Sequence, residues 1–356
     1  MLNSLRNLKS RTRLVLLGLF MIGVLSVSAC SGILGKLARS QVGVPQLLTP
    51  LVDGDTSRLI AEVNRLGAVK SIHGKLDIQF QDTSFASAGI AEKYRSADAN
   101  LTVQRPGKVY LVIQFALVDI AQMTSDGEHF RVALLKGDEK YRRFVKGTNN
   151  ASYGELKANG AAHKPDKGKM VAGEAVSALS NLRPQHLTDA LLVRPIPPPA
   201  ESGLLYSRSE FYEEEPDPRP QAKKGARVVR GYYLLEELAP TGPGEARLKR
   251  RIWFDRVGGI RLARLQTFDE RGLLDTDVSY SAERTVGDGE HTAVLPTKIE
   301  LTRPKDQYKL SLSYQTPESV VIDKEYEPQV FVLENKGQLP EVDLDANKET
   351  RAKPTP

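Results

Sequence analysis

The chain has 356 residues, of which 40% are hydrophobic and 26% charged, and a formal net charge of +6. Four basic side chains, Arg6, Lys9, Arg11 and Arg13, lie within residues 1–29, where no acidic residue occurs. The remainder therefore carries only +2, which removes the main support for nucleic-acid binding. A single cysteine, Cys30, leaves no partner for an intrachain disulfide and no basis for a cysteine metal site.

In chain order, the basic residues are followed by the uncharged run "LVLLGLFMIGVLSV" at 14–27 and by the small residues Ser28 and Ala29. This is the three-part layout of a secretory signal. At about 1.5 Å per residue the run covers about 21 Å, short of the hydrocarbon core of about 30 Å, so a cleaved segment over residues 1–29 is expected. A permanent amino-terminal helix is the alternative, because uncharged residues continue to Gly35. Residues 30–53 lack strong periodicity and read as a tether spanning about 25–30 Å as a coil.

The folded domain is expected over 54–334. "DTSRLIAEVNRLGAV" offers Asp55 or Thr56 as a cap and repeats Leu59, Ile60, Val63 and Leu66 at helical spacing. The period then falls to two. In "SIHGKLDIQF", Ile72, Leu76, Ile78 and Phe80 share one face. "ANLTVQRPGKVYLVIQF" predicts two strands joined at Arg105-Pro106-Gly107, and "AQMTSDGEHFRVAL" two more joined at Asp126-Gly127, with another at "YRRFV".

Residues 149–169 read as a long loop, and "RPQHLTDALLV" as a short helix stopped by "PIPPP" at 195–199. Strands are expected again at 204–212, 227–235, 248–255, 260–268, 275–282, 297–302 and 308–314. The polar residues 335–356 are expected to be disordered. About a dozen strands, two short helices and no βαβ alternation predict a mainly β fold: one strongly curved antiparallel sheet, an incomplete barrel covered by helices.

Local catalytic patterns are missing. His73, His129, His163, His186 and His291 are scattered without metal-ligand spacing, and no nucleophile elbow or phosphate loop occurs. No enzyme activity, metal or cofactor is expected. His163 and His186 are expected at the surface, residues 213–215 in a solvated loop, and the basic clusters "KYRRFVK" and "RLKRR" on solvated faces.

Two resemblances extend this reading. "VSAC", Val27 to Cys30, resembles the lipobox of bacterial lipoproteins, which implies that Cys30 carries the lipid anchor and begins the mature chain; Ser31 in place of Asp implies the outer membrane, facing the periplasm. "LIAEVNRLGAVKSIHGKLDI", "RPGKVYLVIQ", "TSDGEHFRV" and "EPQVFVLENKGQLPEVDL" together resemble the LolA and LolB family of lipoprotein carriers and receptors. That resemblance implies a half-barrel whose apolar hollow accepts acyl chains or lipoproteins.

Candidate lining residues are Ile72, Leu76, Ile78, Phe80, Val109, Leu111, Ile113, Phe115, Phe130, Val132 and Trp253. LolB-type receptors also imply a protruding apolar loop, for which residues 83–90 are the candidate. The competing expectation is a protein-interaction module of the envelope, since the fold resembles that of stress regulators similar to MucB and RseB. An exposed strand edge beside a filled core would favour it.

Overall fold

The computed structural model describes residues 44–83, 92–93, 96–136, 139, 142–149, 151, 182–198, 202–288 and 291–346. Cys30 and the expected signal segment lie outside them, as do nearly all of 83–90 and of the 149–169 loop. Residues 1–46 and 47–356 are separate units, and the description concerns the second.

Alternating apolar residues build one large open sheet. Its first half holds β1 (Ser71–Asp82), β2 (Ala97–Gln104), β3 (Lys108–Phe115), β4 (Val118–Asp126), β5 (His129–Leu134) and β6 (Arg143–Thr148). Its second half holds β7 (Leu205–Pro216), β8 (Arg227–Gly242), β9 (Glu245–Asp255), β10 (Arg261–Phe268), β11 (Leu274–Asp288), β12 (His291–Arg303) and β13 (Tyr308–Tyr314). Within each half, successive strands pair antiparallel.

The halves meet where β13 pairs with β1, setting Leu310 opposite Phe80, Leu312 opposite Ile78 and Tyr314 opposite Leu76. Register keeps one apolar face continuous. It runs from Tyr233 and Leu235 through Phe254, Val278 and Leu301 to Leu101, Leu111, Met123 and Val132, all buried in one core. The sheet is curved and does not close into a barrel.

The Asp126-Gly127 turn forms as expected. Asp126 Oδ1 accepts from the Glu128 and His129 amides at 2.9 and 2.7 Å. Gly127 has φ +107°, and a Cβ there would come within 2.7 Å of the Pro106 carbonyl oxygen.

Two helices lie on the apolar face. α1 (Thr56–Gly67) is capped by Asp55, whose Oδ1 accepts from the Arg58 amide at 2.9 Å, and buries Leu59, Val63 and Leu66. α2 (Pro184–Leu191) starts with proline in its first turn and buries Leu187 and Ala190.

Several expectations are corrected. The tether is not free throughout: the Leu48 amide donates to Val229 O and the Val52 amide to Arg256 O, both at 2.9 Å. The expected disorder from Asn335 is also overturned as far as Ala346. Leu339 and Leu344 are buried, and β14 (Glu341–Asp343) pairs parallel with β6. Residues 213–215 belong to β7 rather than to a loop, because β8 supplies a pairing partner up to Pro216. The "RLKRR" cluster is not simply solvated: Arg250 is buried against Glu237 at 2.5 Å, and Arg251 meets Glu236 at 2.7 Å across the β8–β9 ladder.

Replacing the fully buried Leu111 by alanine is expected to cost about 2–5 kcal/mol through lost burial and a residual void. Replacing the exposed Phe115 should change stability by less than about 0.5 kcal/mol. Urea denaturation of the two variants checks the contrast, and equal losses would contradict this packing.

Candidate functional site

The candidate site is the apolar face of the sheet together with its cover. Of the eleven predicted lining residues, Ile72, Leu76, Ile78, Phe80, Val109, Leu111, Ile113, Phe130 and Val132 are buried on this face. Two need correction. Phe115 is 51% exposed, at the end of β3 where the chain turns at Ala116 and Leu117. Trp253 lies on the opposite face, because alternation that turns its buried neighbours Ile252 and Phe254 inward must turn Trp253 outward.

The cover consists of α1, α2 and residues 192–198. Leu192, Val193 and Ile196 join Leu187 and Ala190 in the core. Among the described residues, the gap between cover and sheet beside Leu66, Ile72, Ala190 and Tyr314 is only about 20 Å³. That is about the space of one water, so cover and sheet are in close contact at this place. An acyl chain can enter this gap only if the cover moves.

What holds the cover is a set of polar fastenings at its rims. Asn64 binds Ile196 twice, its Nδ2 donating to the carbonyl at 3.1 Å and its Oδ1 accepting from the amide at 2.7 Å. Arg105, at the end of β2, donates to Val69 O at 3.2 Å and to Val193 O at 2.7 Å, tying the exit of α1 to the exit of α2. From the second half, Tyr280 Oη donates to Ala190 O at 3.0 Å and Arg250 Nη1 to Arg194 O at 2.9 Å.

His186 corrects the expectation of a surface residue. It is buried on α2, and its Nδ1 shares a 2.6 Å hydrogen bond with the buried Tyr308 hydroxyl. The ring faces inward because Leu187 and Ala190 fix the helix face toward the sheet. Burial, with Arg303 and Arg183 adding to it, holds the His186 pKa well below the ordinary histidine value. Burial likewise pushes the Tyr308 hydroxyl up. The pair is therefore a neutral polar contact inside an apolar layer.

A second feature escaped the sequence reading. The β3–β4 hairpin turns at Ala116 and Leu117, with φ values of +48° and +66°. Consecutive left-handed residues are usually Asn-Gly in such turns, and each non-glycine there costs about 1 kcal/mol or more. The tip "FALV" is exposed throughout, with Leu117 at 91%. The signal was available as an apolar quartet lying between two strand patterns, but it reads equally as continuous strand.

No protein-family description matches the chain, and no curated protein matches it. Among solved structures, the chain is similar to a DUF1329 family protein from Desulfovibrio piger, at 12% identity and TM-score 0.39, over 77% of this chain and 94% of that one. It is similar to a LolA superfamily protein from Nitrosomonas europaea, at 11% identity and TM-score 0.36, over 77% and 96% of the two chains. A domain described as an outer membrane lipoprotein-sorting protein, from Vibrio parahaemolyticus, gives 11% identity and TM-score 0.36, over 78% and 96%. Likeness at this level carries no functional argument.

The His186 contact gives a pH dependence of definite sign. An unfolded histidine takes its proton near pH 6.5, whereas the buried ring resists it, so the stabilisation is complete above that pH and is lost as pH falls through it. Thermal melting of the natural chain should therefore fall between pH 7.5 and 5.5 more steeply than that of His186→Gln. Parallel pH profiles would contradict the assignment.

Proposed function

We propose that this protein is a lipid-anchored envelope protein, held at the outer membrane through Cys30 and facing the periplasm, that takes acyl chains or the acylated end of a lipoprotein between its open sheet and the helical cover. One observation carries this reading: a continuous apolar sheet face is roofed by two short helices whose rims are fastened by individual hydrogen bonds. Such fastenings contribute about 0.5–1.5 kcal/mol each, within reach of what a few buried methylenes return. Transfer would be driven by apolar burial, with no bond made or broken. The lipobox resemblance at residues 27–30 agrees with it.

The hairpin tip fits the same reading as a membrane contact. Leu117, with Phe115 and Val118 beside it, presents apolar surface from a strained turn at one end of the covered face. Ala116→Asn with Leu117→Gly would relax the turn and remove its largest apolar side chain. The double variant is expected to be more stable by about 0.5–1 kcal/mol and to bind vesicles less. Flotation of the chain from Ser31 onward, which lacks both Cys30 and the apolar run at 14–27, with phosphatidylethanolamine and phosphatidylglycerol vesicles checks this, and undiminished flotation would contradict the membrane role.

A second reading, a protein-interaction module, is favoured by the filled core beside Leu66, Ile72, Ala190 and Tyr314 and by one strand edge. β7 pairs with β8 along one side only, leaving a 12-residue edge without a partner among the described residues. Mass spectrometry separates the two. The chain purified from its native membrane should begin at an acylated Cys30, and a Cys30→Ser chain expressed in the periplasm should release lipid on denaturing extraction. An acylated anchor on a domain that carries no lipid would reject the first reading in favour of the second.

A further inference from the structure

The face of the sheet opposite the helices carries a hollow that the acyl-chain reading does not use. Its volume is about 640 Å³, within the range of about 300–1,000 Å³ typical of small-ligand sites. Its floor is formed by outward side chains of adjacent strands: Tyr232 on β8, Trp253 on β9, Arg264 on β10, Asp277 and Ser279 on β11, and Thr302 on β12. The alternation that makes the other face a core places all of these here.

The lining excludes ligand classes one by one. Its four cations, Arg230, Arg261, Arg264 and Lys309, are already committed to carboxylates. Arg264 holds Asp277 through Nε at 2.7 Å and a second bond from Nη2. Arg230 lies between Glu215 and Asp255, and Lys309 meets Glu300 at 2.8 Å. An anion therefore finds no cation free of a carboxylate partner. The described residues hold no group of three or more acidic, histidine or cysteine side chains able to take a metal ion. An acyl chain would strip water from several ion pairs with nothing to replace it.

A neutral polyhydroxylated molecule meets none of these objections. Bidentate pairs such as Arg264–Asp277 offer fixed donors and acceptors without being broken, and Ser279 and Thr302 add hydroxyls between them. The wall is aromatic: Tyr232 stacks on Phe211 at 5.3 Å, and the edge of Trp253 meets Phe211 at 4.8 Å. The indole Nε1–H of Trp253 is buried and has no acceptor in the protein, an unmet donor beside the Arg264 guanidinium that lies over the ring.

We propose that this hollow on the uncovered face of β8–β12 is a saccharide-binding site, separate from the covered apolar face.

Trp253 is the only tryptophan in the chain, so its emission reports on this site alone. Chitotetraose and maltotetraose are titrated into the full chain in detergent. A saturable change in emission with at least one of them is expected. The change should weaken about tenfold in the double variant Arg264→Gln with Asp277→Asn, which keeps the shape of the pair but not its charge, at an unchanged melting temperature. If that variant melts early, Thr302→Leu, which fills the hollow from another strand, takes its place with the same expectation. Absence of any change with both sugars overturns the proposal, as does sugar binding that survives in these variants. A response to palmitate with none to sugars overturns it as well. None of these results bears on lipid extraction, so the acyl-chain reading stands or falls separately.

Discussion

An open sheet with one apolar face has a single unavoidable requirement: that face must be covered. Closing into a barrel would satisfy it from within, but this sheet stays open. Leu59, Val63 and Leu66 of α1, Leu187 and Ala190 of α2, and Leu192, Val193 and Ile196 after it meet the requirement from outside. Each leucine so buried contributes about 1.5–3 kcal/mol, enough to hold the cover down when nothing better lies beneath it. The same logic makes the cover exchangeable, since another apolar body of similar area would serve the sheet equally well.

The rim fastenings fit that picture. Arg105, Tyr280 and Arg250 bind backbone carbonyls of the cover, and Asn64 ties two parts of the cover together; at each, a small displacement breaks the contact without stranding a buried charge on the cover itself. Arg250 has Glu237 as a second partner, on the neighbouring strand. His186 is the exception, a polar group set inside the apolar layer and dependent on Tyr308 for its partner. The cover is thus held by contacts that can be made and broken, over a sheet whose ladders need not change.

Much of the fold was legible because period two is hard to mistake. Ile72 through Phe80, the Asp126-Gly127 turn and the helix after Asp55 all followed from spacing and turn chemistry, as did the burial of nine of the eleven candidates. The failures have separate causes. Trp253 was placed inward for its hydrophobicity when its register between Ile252 and Phe254 turned it outward. Phe115 has the right parity but lies at the end of β3, where the chain turns. His186 gave no sign of burial, since the partner that accommodates it is 122 positions away. The order of residues 335–346 depends on pairing with β6, which composition does not encode. The outward hollow was invisible because ion pairs such as Arg264–Asp277 are formed between strands and leave no local motif.

The central claim is that the cover over the apolar face opens for an acyl chain while the sheet holds. Hydrogen–deuterium exchange of the Cys30→Ser chain, with and without a diacylglyceryl-cysteine peptide, tests it most directly. The account predicts that amides of α2 and residues 192–198 exchange faster when the lipopeptide is bound, while those of β1 to β4 keep their protection. Protection of α2 that matches the sheet and does not change on adding the lipopeptide would contradict it.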